Sequence, residues 1–109
     1  MDDTVTKPAA TPDMKAMSKK ADDVALMLRS LSHGARLRVM CELVEGEKSA
    51  GDLVRASGLS QSALSQHLAK LREDGLVDTR RDGQSIHYSL ADPKIQRLVK
   101  FLFELYCRK

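Results

Sequence analysis

The chain holds two cysteines, Cys41 and Cys107, 66 residues apart. That separation excludes the Cys-x-x-Cys arrangement of dithiol oxidoreductases. The first fifteen residues, MDDTVTKPAATPDMK, lack the apolar stretch of a secretory leader. No run of about 18 apolar residues exists to span a bilayer, so a cytosolic location is expected. There, thiols are normally reduced rather than locked in a structural disulfide. Two uses stay open for them. As small apolar fillers they are buried and inert. As an accessible pair they are open to thiol redox chemistry. Arg38 beside Cys41, and Lys100 and Arg108 beside Cys107, are cations able to lower a thiol pKa. Solvated surface charge is their ordinary role. With His33 or His87 the thiols would make a zinc site, and a Cys–His pair can ligate haem; the spacing favours neither. No Cys-His-Asp pattern and no Gly-rich cofactor loop argues for an enzyme.

A second group of side chains has the chemistry of base recognition. Gln61, Ser62, Ser65 and Gln66 form one polar row at helical spacing. Small and amide side chains let a helix approach the major groove and offer donors and acceptors to base edges. His67 is adjacent, placed to meet phosphate or to sit against the preceding helix. Arg80 and Arg81, with Gln84 near them, suit flanking phosphates or a minor groove. The plain alternative is a solvated helix face and a solvated turn, or a winged helix used for protein contacts.

These residues need elements to position them. Val24, Met27, Leu28 and Leu31 give one apolar stripe and predict a helix over 17–31. Ser32-His33-Gly34 breaks it. A second helix is expected over 35–44, with Leu37, Met40, Leu43 and Val44 facing the core and Cys41 at the edge of that face. Arg36, Arg38 and Glu42 face away, and Gly46 stops the helix. Ser49 starts a third helix with Asp52 three residues on, and Gly58 ends it. Ser60 caps a fourth, running to about Asp74, whose Leu64, Leu68 and Leu71 face inward. After Gly75 the period becomes two. Ile86, Tyr88 and Leu90 alternate with polar residues, residues 76–80 form the partner strand, and Asp82-Gly83 marks the hairpin between them. Asp92-Pro93 opens a last helix to about Arg108. That helix is too apolar all round to cover one face of a small domain. Part of it is therefore expected to pack on a second subunit, together with the first helix.

The resulting fold class is mainly α with a small β-hairpin: a winged helix-turn-helix of five helices plus wing. Residues 1–14 are expected to be a disordered tail and 15–109 a single domain. With 109 residues, 42% hydrophobic and 30% charged, the chain has an ordinary soluble composition. Its charge of +3 does not itself argue for nucleic acid. Across residues 60–91, Lys70, Arg72, Arg80 and Arg81 balance Glu73, Asp74, Asp78 and Asp82; the excess lies in the last eighteen residues.

The segments LSHGARLRVMCEL, SGLSQSALSQHLAKLREDGLV and RRDGQSIHYSL resemble the ArsR-type winged-helix repressors, over about residues 20–108. The resemblance implies a homodimer that binds an inverted repeat in duplex DNA and represses transcription until an inducer binds. It also implies that Ser62, Ser65, Gln66, His67 and the wing tip contact DNA. Metal-sensing members carry a Cys-x-Cys at the start of the third helix, where this chain has Ser49 and Gly51, or Asp and His ligands on the last helix, which here has no histidine. The BigR/SqrR-like persulfide-sensing branch carries a cysteine at each of the places of Cys41 and Cys107. That likeness implies a dithiol bridged by persulfide or polysulfide sulfur, with loss of DNA affinity and no metal or other cofactor.

Overall fold

Each of the five helices begins on a side chain that accepts one of its first free N–H groups. In the computed structural model, which describes residues 13–107, Asp13 opens α1 (Met14–Leu31) by accepting from Ala16 N at 3.1 Å. His33 opens α2 (Gly34–Glu42) through Nδ1, which accepts from Ala35 N at 3.2 Å. Ser49 caps α3 (Ala50–Ser57), Ser60 caps α4 (Gln61–Glu73) and Asp92 caps α5 (Pro93–Tyr106). The last three caps are the ones the sequence predicts. α1 starts three residues before its expected Met17, because Asp13 supplies a cap that periodicity alone does not reveal. Most of the expected tail, and Arg108, lie outside the described residues.

α2 differs from its expected form in length and in facing. It ends at Glu42 and tightens into a 3₁₀ turn, Leu43–Glu45, before Gly46 at φ 134°. Its buried residues are Val39 and Met40, with Leu43 in the turn; Leu37 and Val44 are only half-buried. The reason is its place in the fold. α2 touches α1, α3, α4 and α5, so its middle is enclosed on more than one face and a single stripe does not describe it. Arg36, expected to face away, is half-buried for the same reason.

The sheet has three strands rather than two. β2 (Val77–Asp82) and β3 (Ser85–Leu90) form the expected hairpin, in register from Val77 opposite Leu90 to Asp82 opposite Ser85. The turn is Gly83-Gln84, one residue later than Asp82-Gly83, and Gly83 takes the left-handed φ of 64° that such a turn requires. β1 (Lys48–Ser49) adds to the other edge of β3, pairing Lys48 with Tyr88 and Ser49 with His87. Two residues show no alternation, so this strand has no sequence signal. Burial fades along the hairpin, from Leu90 in the core through half-buried Tyr88 to exposed Ile86. The tip thus stands clear of the body.

Leu53, Leu64, Leu68, Leu71, Leu76, Ile95 and Val99 close the core around α2. Two helices keep apolar surface uncovered. Met17, Val24 and Leu28 are exposed on α1, and Phe101, Leu105 and Tyr106 on α5. Among the described residues, no helix is long and apolar enough to cross a membrane.

Leu53 has no exposed surface, whereas Leu26 is 60% exposed. Leu53→Ala is expected to remove about 2–5 kcal/mol of stability through lost burial and the cavity left behind. Leu26→Ala should stay within about 0.5 kcal/mol. Denaturant melts at one fixed protein concentration measure both.

Candidate nucleic-acid interface and dithiol site

The angle between α3 and α4 is set by three residues. Gly58 adopts φ 73° and donates its N–H to Val54 O at 3.3 Å. A side chain with a Cβ is strained in that conformation. Leu59 donates to Ser57 Oγ at 3.1 Å and packs against the core, and Ser60 then caps α4. With Leu64, Leu68 and Leu71 buried, helical geometry turns Gln61, Ser62, Ser65 and Gln66 to solvent, and all four are exposed. The predicted row is therefore one continuous polar face. Such a face is able to enter a major groove.

His67 does not belong to that face. It is half-buried, and its ring lies 4.7 Å from the ring of His33, tilted by 56°. Burial pushes its pKa down, with the charges of His33 and Arg36 acting in the same direction. A neutral imidazole is thus favoured there. Of its two expected roles, packing is the one the structure shows. Its neighbour is the cap of α2 rather than α3.

At the wing, Arg81 and Gln84 are exposed and make no side-chain bond among the described residues. Arg80 is exposed but engaged. Its Nε donates to Glu47 Oε2 at 3.0 Å and its Nη2 to Glu47 Oε1 at 2.7 Å. This hydrogen-bonded pair holds the Glu47 carboxyl below its usual range. Arg80 therefore reaches a phosphate only in competition with a carboxylate. Glu47 was not identifiable as a site residue, because 33 positions separate it from Arg80. Only the pairing of β1 with β3 brings the two together.

The cysteines lie where α2 meets α5. Cys41 is half-buried against the core, and Cys107 is exposed as the C-cap of α5, its N–H donating to Phe103 O at 2.8 Å. Burial raises the pKa of Cys41, and the charge of Cys107 raises it further, with a smaller contribution from Glu42. Of the two readings of Arg38, solvated surface charge fits: it is exposed on the same helix, and burial is the main cause of the Cys41 shift. The pair is asymmetric, with one accessible sulfur and one protected one. His33 is committed to His67 and to capping α2, and His87 lies on β3 opposite Arg80. Among the described residues, no three His, Cys, Asp or Glu side chains are grouped to hold a metal ion.

Residues 33–79, from the cap of α2 to the start of the wing, match the model of the family described as "Bacterial regulatory protein, arsR family". The biofilm growth-associated repressor of Agrobacterium fabrum is 45% identical over 94 residues, which covers 86% of this chain and 80% of that protein. The crystal structure of the transcriptional repressor BigR from Xylella fastidiosa has 43% identity and a TM-score of 0.80, covering 90% of this chain and all of that one. Reduced HlyU from Vibrio cholerae also has a TM-score of 0.80, with 40% identity over 85% of this chain and 98% of that one. The winged helix-turn-helix geometry and these likenesses agree: the chain belongs to the ArsR family of bacterial regulatory proteins.

Proposed function

We propose that this chain is a dimeric, cytosolic DNA-binding repressor whose operator affinity falls when Cys41 and Cys107 are joined by persulfide or polysulfide sulfur. One observation carries the switch. Two thiols 66 residues apart in sequence belong to helices that pack on each other, half-buried Cys41 on α2 and exposed Cys107 at the C-terminal cap of α5. The relative that is called a repressor supports the output, and the relative for which a reduced state is specified supports redox sensitivity. The uncovered apolar faces of α1 and α5 support a dimer, which presents two copies of α4 to an inverted repeat. In this reading Gln61, Ser62, Ser65 and Gln66 meet base edges, and Arg80, Arg81 and Gln84 meet the flanking backbone.

The chemistry follows from the asymmetry. The Cys107 thiolate attacks a polysulfide sulfur and displaces a shorter polysulfide anion, leaving a sulfur chain on Cys107. The Cys41 thiolate then attacks that chain and expels its terminal sulfur as a sulfide or hydropolysulfide anion. The dithiol loses two electrons, the polysulfide gains them, and the bridge retains sulfane sulfur. Bridging ties α5 to α2, which packs against α4. The spacing of the two recognition helices is then biased through the dimer.

Polysulfide treatment is expected to release operator DNA from the wild type and not from Cys41→Ser or Cys107→Ser, as read by gel shift. Mass spectrometry should find a Cys41–Cys107 cross-linked peptide carrying extra sulfur. Release of DNA from both variants, or a cross-link with no added sulfur, refutes the reading. A raised Cys41 pKa leaves little thiolate at neutral pH. Bridge closure should therefore accelerate as pH rises through the alkaline range, and stopped-flow quenching at a series of pH values measures this.

Glu47→Gln frees Arg80 for phosphate. It should tighten operator binding by up to about fivefold, the range of an exposed ion pair. It should also steepen the salt dependence by up to about one phosphate contact. Fluorescence anisotropy over a salt series checks both, and Arg80→Ala in the same background should abolish the gain.

A further inference from the structure

We propose that the cleft between α1, the first turn of α2 and the C-terminal end of α4 binds a small organic oxyanion, a carboxylate or a phosphate ester. The cleft encloses about 460 Å³, within the usual size range of small-molecule sites. Two residues of its lining each carry a buried side-chain donor with no partner among the described residues, Ser30 Oγ and Arg36 Nε. Ser30 is 3% exposed. A buried hydroxyl and a guanidinium N–H are seldom left unpaired, because each has lost its water. What both lack is an acceptor. A planar oxyanion supplies lone pairs to a guanidinium fork in its preferred geometry.

The charges around the cleft point the same way. Lys70 and Asp74 pair at 3.4 Å across one turn of α4 and cancel. Arg29 and Arg36 then face Asp23 alone, which leaves one positive charge in the lining. Arg36 is the third residue of α2, a nine-residue helix, so the free N–H groups of that turn add positive potential. Leu26 and Met27 give the cleft an apolar wall, which suits an organic ligand over a bare ion.

The site borders the surface assigned to dimer contact, with Met27 three residues from Val24 at the boundary. Met17, Val24 and Leu28 share one side of α1, at spacings of seven and four. Asp23, Met27 and Ser30 share another, at spacings of four and three. A bound oxyanion ties α1 and α2 to the end of the recognition helix, giving α4 a second input that uses neither thiol.

Sodium butyrate and inorganic phosphate, titrated separately into the reduced, ¹⁵N-labelled full chain at constant ionic strength, test the site without DNA. NMR reads the Arg36 Nε–H and Ser30 amide resonances. At least one probe should move both saturably, and the probe that does so identifies the class. Arg36→Lys and Ser30→Ala should each weaken binding by about tenfold. The proposal is overturned if neither resonance moves, if shifts grow linearly without saturation for both probes, or if Ser30→Ala binds as the wild type does. Ser30→Ala removes one oxygen, so it decides the matter even if Arg36→Lys fails to fold. Failure here leaves the thiol switch untouched, because the readout uses reduced protein and no operator.

Discussion

The enclosure of α2 is the constraint on which the rest of the structure depends. Val39 and Met40 are adjacent in sequence and both have no exposed surface. Neighbours on a helix point about 100° apart, so the middle of α2 is packed around a wide arc. Interiors this dense transmit displacement rather than absorb it. Both ends of α2 then reach working parts of the molecule. At its start, His33 caps the helix and packs on His67 of α4. At its end, Cys41 precedes Glu42, which accepts from Lys48 of β1 at 2.9 Å, and α5, capped by Cys107, packs on the same helix. One short helix therefore touches α4, carries one of the two thiols and reaches the root of the wing.

The surface proposed to face DNA is electrostatically restrained. Residues 60–91 carry no net charge, and one wing arginine is already held by Glu47. A protein whose affinity rested on many free cations would bind any duplex strongly at low salt. Under the proposed function, more of the discrimination then falls to the polar row on α4, through base edges. The same restraint makes affinity easy to tune. When few phosphate contacts are in place, a small change in the separation of two reading heads alters a large share of the binding energy.

Regular periodicity made the reader legible. Leu64, Leu68 and Leu71 fix one face of α4, and the exposed row follows from it. Ser49, Ser60 and Asp92 announce their helices because their side chains act within three residues. The features that were not legible depend on contacts far along the chain. Glu47 gains its meaning only when β1 pairs with β3. For His67 the sequence offers a phosphate contact or packing on the preceding helix, and its packing on His33 is set by the fold. Val39 is buried because four helices surround α2, not because of any spacing. The approach of Cys41 to Cys107 belongs to the same class: resemblance suggested it, and only the packing of α2 on α5 supplies a physical reason.

The size of the proposed switch is within reach of these parts. A hundredfold loss of operator affinity corresponds to about 2.7 kcal/mol. Fully burying or exposing one large apolar side chain is worth about 1.5–3 kcal/mol. Phe101, Leu105 and Tyr106 are exposed in the last turns of α5, beyond Ile95 and Val99, which anchor that helix to the core. A sulfur bridge at Cys107 would restrain the free end of this segment and leave its anchored start in place. If those side chains pack on a partner subunit, moving one of them out of its contact supplies the required energy. The bridge then needs to change only how the end of α5 meets the other protomer, while α3, α4 and the wing keep their internal geometry. A length-dependent effect follows from this. A bridge with more sulfur atoms restrains the end of α5 less tightly than a plain disulfide, so the two oxidised forms need not hold the dimer in the same arrangement.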